Sequence, residues 1–523
     1  MLTLYDEFAG WGGSSQGFAA VPGVELVMAA NHDELAVEVH GMNFPAADHF
    51  CGDVAKTDIA RFPAADLFWA SPSCPPWSNA RGVRRDFDRT TQGLLFGEEV
   101  VDPNVTRARA LMQEVPRYLE AMILRGRPVL AGVIENVVEC RRWDQWRHFR
   151  RRIELAGYRT RLIALNSMHA APRTTWWAPQ SRDRLYLAYW WARLGRDPDW
   201  DKWLRPRAWC PDCGEFVDAL QVFKQAGVDM GRYGRGGQYL YRCPRVSCRN
   251  RIVEPAAMPA SWAIDWSLAP GCTIGEREEP LKPATLERIR AGLAKHARPL
   301  LAPAGGTWRQ AAVSVGQPMP TRTTRETDGL VIPPLAVPLT SRAGRRAYSV
   351  GEPLRTQTCR QETALVLPPF MTTLRGGGSK RSSYGVDQPL ATFSADGYHH
   401  GLVTPPGTEH LSREQLLMSY YSNGTTRRTS EPMGTLTTKD RYALISVDHH
   451  TPAVEDCTFR MLTPREIAAG MAFADDYKVK GSKRKQVRGF GNAVTPPVSE
   501  LLGCALVEAV TGEDISRHTT KET

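Results

Sequence analysis

Cys74 lies in Ser71-Pro72-Ser73-Cys74-Pro75-Pro76-Trp77-Ser78, directly after the apolar run Asp66–Ala70. A turn at the carboxyl edge of a parallel strand is where open α/β sheets bind ligands. A thiolate there is a nucleophile; the alternative is a small buried hydrophobe, the usual fate of a lone thiol. The flanking prolines and serines disfavour an ordinary core position. A free thiol is only about 3 % ionised at neutral pH, so such a nucleophile needs help from its surroundings. Two other strand ends offer it. Glu135, in Ile134-Glu135-Asn136-Val137, closes the apolar run Val129–Glu135 as either a solvated terminus or a site acid. Arg182 and Arg184, in Gln180-Ser181-Arg182-Asp183-Arg184, precede the strand Leu185–Trp190 and put two cations on one side of it. Each of these segments is ambiguous by itself.

Two further constellations suit bound groups. The segment Phe8-Ala9-Gly10-Trp11-Gly12-Gly13-Ser14-Ser15-Gln16-Gly17 follows a first strand and opens a helix. Its glycines allow tight turns and close approach of backbone to a ligand, a property shared by many nucleotide and cofactor folds. Cys210-Pro-Asp-Cys213 and Cys243-Pro-Arg-Val-Ser-Cys248 form one Cys-x2-Cys and one Cys-x4-Cys pair. That donor set suits tetrahedral Zn²⁺ in a ribbon-like pair of loops; the competing explanation is four unrelated thiols.

The elements that must position these residues alternate. Leu2–Tyr5, Glu25–Ala30, Asp66–Ala70, Val129–Glu135 and Leu185–Trp190 read as strands, with a helix over Arg107–Arg125. Residues 1–195 are therefore expected to form an α/β unit with a mainly parallel sheet. Residues 196–270 are rich in Trp, Arg, Pro and Cys and are expected to form a zinc-ribbon segment. A helix over Ala284–His296 leads into four copies of a short pattern centred on Pro318, Pro353, Pro389 and Pro432. Each copy runs on to an aliphatic pair, Leu330-Val331, Leu365-Val366, Leu402-Val403 and Leu444-Ile445, which predicts tandem β-hairpins within residues 271–455. In residues 456–523, Thr463-Pro464 is a helix start, with Thr as cap and Pro in the first turn, and a last helix covers Pro497–Val510.

A net charge of +10 favours a polyanionic partner. No uninterrupted apolar run approaches the ~18 residues needed to span a bilayer. The N-terminus lacks a signal-peptide pattern, and an odd number of cysteines, eleven, argues for metal or catalytic roles over a disulfide framework. A cytoplasmic location is the expectation, without a membrane partner.

Taken in order, these motifs resemble the DNA (cytosine-5) methyltransferases of bacterial or bacteriophage type. Phe8-Ala9-Gly10-x-Gly12-Gly13 resembles the first family motif, and Pro72-Ser73-Cys74-x-x-Trp77-Ser78 the nucleophile loop. Glu135-Asn136-Val137, Pro179-Gln180-Ser181-Arg182-Asp183-Arg184, Arg460-x-Leu462-Thr463-x-Arg465-Glu466 and Gly491-Asn492-Ala493-Val494 follow. The resemblance covers about residues 1–192 and 457–511, and the intervening stretch falls where the family inserts its target-recognition domain.

The resemblance implies a Rossmann-like, S-adenosylmethionine-dependent methyltransferase domain carrying a large zinc-containing and β-rich insert. It makes Cys74 the nucleophile on carbon 6 of a flipped-out cytosine in double-stranded DNA. Glu135 becomes the proton donor at the ring nitrogen, and Arg184, supported by Arg182, the holder of the carbonyl oxygen. Phe8, Gly10, Gly12, Gly13, Asn31, His32, Asp53, Val54, Asn492 and Ala493 become the cofactor pocket. Ser78 and Arg81 beside the nucleophile, and Arg375, Lys380, Arg381, Arg427 and Arg428 in the repeats, are the expected DNA contacts of a monomeric protein. Two positions depart from the family pattern: Pro75 replaces a glutamine after the nucleophile, and Asn31 replaces a ribose-binding glutamate. Cys74-Pro75-Pro76-Trp77 also leaves open an amino-methyltransferase acting on an exocyclic nitrogen. A catalytically inactive DNA-binding homologue is the second alternative. Whether a restriction enzyme accompanies the protein is not encoded in these motifs.

Overall fold

A computed structural model describes residues 1–72, 111–258 and 463–517, with short strands and scattered residues between 259 and 462. The chain divides into two compact units. One comprises Met1–Ala263, Asp387–Gly397 and Thr463–Thr523; the other comprises Ile264–Val386 and Tyr398–Leu462.

The first unit is built on one seven-stranded sheet. Its strands are β1 (Leu2–Glu7), β2 (Val24–Asn31), β3 (Asp48–Cys51), β4 (Leu67–Ala70), β5 (Ala131–Asn136), β6 (Tyr158–Asn166) and, after the two-residue β7 (Gln180–Ser181), β8 (Asp183–Trp191). Their spatial order is β3-β2-β1-β4-β5-β8-β6. All neighbours from β3 to β5 are parallel, whereas β8 runs antiparallel to both β5 and β6. The expectation of a mainly parallel sheet holds. The order reverses between β1 and β4, so the crevice beyond their carboxyl ends is the topological switch point where such sheets bind ligands. β4 reads Leu-Phe-Trp-Ala and is buried on both faces, as a central parallel strand must be.

Helices cover both faces: α1 (Gly13–Ala19), α2 (Glu34–Asn43), α3 (Glu114–Leu124), α4 (Trp146–Leu155) and the short α5 (Trp200–Leu204). The described part of the expected helix from Arg107 is α3, whose Val115, Tyr118, Leu119 and Met122 pack into the core with Tyr5, Phe68 and Ile134. Three C-terminal helices return to the same unit: α6 (Pro464–Gly470), α7 (Lys483–Asn492) and α8 (Pro496–Thr511). Thr463 caps α6 in a reciprocal capping box with Glu466, with Pro464 in the first turn, as the sequence predicts. α8 is buried along nearly its whole length. It docks on α1 so closely that a Cβ on Gly13 would lie 1.9 Å from the Val494 carbonyl oxygen, and one on Gly17 2.0 Å from Ser499 Oγ. These two glycines exist for that contact.

The cysteine-bearing segment adds β9 (Arg207–Cys210), β10 (Glu215–Asp218), β11 (Leu220–Phe223), β12 (Tyr239–Arg242) and β13 (Ile252–Val253). It falls inside the first unit, where Ala208, Val217, Tyr239, Tyr241 and Val253 share one hydrophobic core with Tyr5 and Ile134. A boundary near residue 195 therefore does not separate two cores.

In the second unit the repeats differ from simple hairpins. Leu300–Pro303 pairs on both sides, with Val313–Ser314 and Asp328–Val331; Leu335–Pro338 does the same with Tyr348–Ser349 and Thr363–Leu365. Phe370–Thr373 pairs with Ser383–Gly385 and His400–Thr404, and the latter continues onto Thr458–Met461. Each of the first three copies thus supplies three adjacent strands whose central one precedes the proline, the third copy within a five-stranded sheet. The aliphatic pairs at Leu330, Leu365 and Leu402 lie in or at the end of the third strands. The fourth copy and the helix expected over Ala284–His296 lie outside the described residues, but for isolated positions.

Candidate active site

Glu135 and Arg184 occupy facing strands at the same end of the sheet, where Glu135 pairs in register with Tyr186. Arg184 Nε lies 3.0 Å from Glu135 Oε1, with the two side chains only 15 % and 12 % exposed. Arg184 also donates to the Asp183 carbonyl, 3.0 Å away. The next residue, Asn136, is buried and donates through Nδ2 to the Pro72 carbonyl at 3.2 Å. That bond ties the carboxyl ends of β4 and β5 together at the point where the chain departs toward Cys74. Ser71 N donates to the Glu7 carbonyl, which fixes the same exit to β1.

Arg182 does something other than support Arg184. It is 3 % exposed, and it donates from Nη1 to the Gly491 carbonyl at 3.2 Å and from Nη2 to the Ala493 carbonyl at 3.0 Å. A planar guanidinium with several fixed donors can bridge two carbonyls in this way. Gln180-Ser181-Arg182 and Gly491-Asn492-Ala493, remote in sequence, are thereby one structural piece.

The expected cofactor residues divide. Phe8 and Gly10 adopt left-handed backbone conformations, φ +61° and +57°, at the carboxyl end of β1. Gly10 is partly exposed, and a Cβ there would meet nothing closer than 3.9 Å, so its face is open to a ligand. Gly12 is instead walled in by Phe44, Tyr477 and His40, each within 2.9 Å of a hypothetical Cβ. Gly12 and Gly13 are therefore packed closely on the side where a Cβ would stand. Asn31 ends β2, and its Oδ1 accepts from Asp33 N at 3.0 Å; His32 is exposed beside it. Gly52 N bonds the Asn31 carbonyl, which brings Asp53 to the same edge. Val54 is 6 % exposed and belongs to the core, so it offers at most its backbone. Ala493 is buried, and its carbonyl is taken by Arg182; Asn492 is exposed at the end of α7. Gly10, Asn31 and Asp53, at the carboxyl ends of three adjacent strands, fit a nucleoside-bearing cofactor.

Two buried acids behind this edge escaped the sequence reading. Asp6 is fully buried and accepts from Ser14 Oγ and Ser15 Oγ, both at 2.6 Å. Ser15 Oγ also meets His40 Nε2 at 2.9 Å, and His40 Nδ1 meets His49 Nε2 at 2.8 Å. Burial pushes Asp6 up to about 7 despite the two hydroxyl bonds, and burial pulls His40 down to about 3. Glu7 is pushed up to about 8, first by burial and then by the Glu114 carboxylate. Asp6-Glu7 directly before Phe8 was the available signal, because two acids inside a strand entering a sheet need partners or protons.

The four cysteines converge. Cys210, Cys213, Cys243 and Cys248 hold their sulfurs within 4.8 Å of one another, with no disulfide among them, and the Cys213–Cys243 sulfurs are 3.8 Å apart. Tetrahedral Zn²⁺ with Zn–S near 2.3 Å requires sulfurs about 3.8 Å apart, so the set fits such an ion.

Known proteins bear on this geometry. The profile of C-5 cytosine-specific DNA methylases matches residues 2–101 and 389–508. Over those two stretches the chain is similar to the C-5 cytosine-specific DNA methylases. It is 28 % identical over 191 residues to the Type II methyltransferase M.NlaX of Neisseria lactamica, which is 36 % of this chain and 51 % of that protein. It is 35 % identical over 111 residues to the Type II methyltransferase M.HgiBI of Herpetosiphon aurantiacus, 21 % of this chain and 24 % of that protein. The chain thus spans about half or less of these relatives' length. The crystal structure of S. pombe Dnmt2 methyltransferase aligns over 98 % of this chain and 100 % of that one, at 13 % identity and TM-score 0.44.

The methylase match includes the segment with Cys74 and the one with Asn492. Glu135 and Arg184 lie in the unmatched interval, where strand pairing places them together. Cys74, Ser78 and Arg81 lie outside the described residues, as do Arg375, Lys380, Arg381, Arg427 and Arg428. A further acid that sequence analysis passed over is Glu500 on α8. It is fully buried and accepts from the backbone and hydroxyl of both Thr174 and Thr175 at 2.6–2.9 Å. That carboxylate holds the approach to Gln180-Ser181-Arg182 onto the C-terminal helix.

Proposed function

We propose that this chain methylates carbon 5 of cytosine in double-stranded DNA, with Cys74 as nucleophile. S-adenosylmethionine would supply the methyl group. The observation that carries the proposal is the Glu135–Arg184 pair, set at the ligand-binding edge of the sheet beside the Pro72 exit toward Cys74. Carbon 5 of cytosine is a weak nucleophile until a thiolate adds to carbon 6 and places electron density on it. Glu135 is suited to hold the ring nitrogen and exocyclic amine and to supply a proton there. Arg184 is suited to hold the carbonyl oxygen as negative charge grows on it. Loss of the carbon 5 proton to a water molecule would then expel the Cys74 thiolate from carbon 6 and restore the ring's double bond. Glu135 and Arg184 are largely shielded from solvent, so the base would have to leave the helix stack to reach them.

Gly10, Asn31 and Asp53 would hold the cofactor's nucleoside, and Cys210, Cys213, Cys243 and Cys248 a structural Zn²⁺. Arg375, Lys380, Arg381, Arg427 and Arg428, with Ser78 and Arg81, would contact DNA phosphates and base edges. An amino-methyltransferase would need an oxygen acceptor for the target amine where Cys74 stands.

The test is sequencing by base conversion of DNA from cells that express the wild type or Cys74→Ala. Cytosine marks in one sequence context, present with the wild type and lost with the variant, support the proposal. Marks on adenine, or marks on cytosine that survive the substitution, overturn it.

A further inference from the structure

One short loop touches both strands that carry the Glu135–Arg184 pair. It lies inside the hairpin formed by β11 and β12, from Asp229 to Tyr233. Asp229 receives a two-pronged ion pair from Arg141, Nε to Oδ1 and Nη2 to Oδ2 both 3.0 Å, and Arg232 Nη2 reaches Glu139 Oε1 at 2.6 Å. Arg141 and Glu139 belong to the turn that follows Glu135-Asn136. On the other side, Tyr233 N donates to Asp183 Oδ1 at 3.0 Å, one residue before Arg184. Gln221, on β11, adds a bond from Nε2 to the Ala164 carbonyl of β6 at 2.7 Å.

The loop is itself held from behind. The Tyr233 ring packs on His169 with centroids 4.4 Å apart, and on Tyr239 and Tyr241 of β12 at 5.7 Å each. β12 runs directly into Cys243, and Cys210 ends β9. The four-cysteine cluster therefore sits at the root of the hairpin whose loop grips the two catalytic strands.

We infer that the metal knuckle acts as a clasp: Zn²⁺ on Cys210, Cys213, Cys243 and Cys248 fixes the Asp229–Tyr233 loop, and the loop sets the separation of Glu135 and Arg184. This rests on the assignments above of a zinc site and of cytosine methylation. Asp229, Arg232 and Tyr233 are positioning residues, acting through Arg141, Glu139 and Asp183. A misplacement of about 1 Å in a reacting constellation is enough to cost two orders of magnitude in rate.

Two measurements on the full chain test the clasp. The first is hydrogen–deuterium exchange before and after treatment with a zinc chelator, with metal content determined in parallel. Exchange should rise across residues 207–253 and also across 180–187, while β1 and β4 stay protected. A rise confined to 207–253 overturns the clasp even if zinc is present. Protein without metal from the outset defeats the zinc assignment and the clasp together. Absence of methyl transfer by metal-replete wild type defeats the methylation proposal alone, because the exchange at 180–187 still scores the clasp.

The second measurement is the kinetics of Tyr233→Ala, which removes the ring that holds the loop without touching a cysteine. It should retain its metal and its KM for DNA while kcat falls about ten-fold, and Tyr233→Phe should restore kcat. Unchanged kcat in a metal-replete Tyr233→Ala, or a change in KM alone, overturns the inference.

Discussion

Arg184 Nε and Glu135 Oε1 face each other at 3.0 Å across antiparallel neighbours, largely shielded from water. Each is the other's counter-charge, so a carboxylate and a guanidinium stand together without leaving either charge unpaired. Removing one partner of such a pair costs roughly 3 kcal/mol, because the other is left buried and alone. Arg184→Ala should therefore unfold at lower urea, and the Glu135→Ala, Arg184→Ala double variant should be more stable than the sum of the single losses. Methyl transfer by Arg184→Ala should fall by about 10²-fold or more, the usual effect of losing a donor to developing oxyanion charge. Strict additivity in the stability measurement would mean that the pair does not couple.

Arg182 predicts a different phenotype from its neighbour. Its bonds to the Gly491 and Ala493 carbonyls close the C-terminal segment onto β7 and β8. Arg182→Lys keeps the charge but loses the planar fork whose Nη1 and Nη2 reach the two carbonyls separately. The variant should show faster hydrogen exchange at 483–495 than wild type, and unchanged exchange there would contradict the clamp.

Glu500 spends both carboxylate oxygens on Thr174 and Thr175. Glu500→Ala would remove the shared acceptor of four donors on the exposed Thr174 and the half-buried Thr175, a loss of roughly 1–3 kcal/mol. A thermal melt reads this directly, as a Tm several degrees below that of the wild type. Glu500→Gln should recover part of the loss by keeping one acceptor oxygen.

The buried acids Asp6 and Glu7 make stability depend on pH. Both have folded pKa values raised by burial, to about 7 and about 8, above an unfolded value near 4. Between these limits the folded state binds more protons than the unfolded chain, so stability must fall as pH rises. The contribution is full below about pH 4, declines through the interval and levels off above about pH 8. Asp6→Asn and Glu7→Gln remove the titration. Chemical denaturation at pH 5 and pH 8 should show a smaller loss in each variant than in wild type. An equal loss would place the pH dependence elsewhere.

Much of the sheet could be read from the sequence because central strands are short apolar runs bounded by turns. β1, β2, β4, β5 and β8 all fall within a few residues of the expected positions. β3 and β6 were not legible. β3 is four residues long at one edge, and β6 opens Tyr-Arg-Thr-Arg at the other, so its apolar run Leu162–Leu165 covers only part of the strand. Glu135 and Arg184 were singled out by residue type at strand ends, and the structure brings them together. The roles of Gly12, Gly13 and Arg182 were not legible, because each is set by contact with a distant segment: Phe44 and Tyr477, Val494, and Gly491 with Ala493 respectively. The repeats showed their period in the sequence. In the first three copies the central strand was hidden, because it precedes the proline that marks the copy.

The central claim is that Cys74 forms a covalent bond to a cytosine held by Glu135 and Arg184, and a duplex carrying 5-fluorocytosine tests it most directly. Fluorine at carbon 5 blocks the proton loss that expels the thiolate, so the adduct persists and can be weighed. With S-adenosylmethionine present, wild type incubated with DNA containing its target context should give a denaturation-resistant species of protein plus one strand. The bond should map to Cys74, and Cys74→Ala should give none. An adduct formed by Cys74→Ala, or methylation of ordinary cytosine by wild type that never yields an adduct with the fluorinated duplex, would contradict the account.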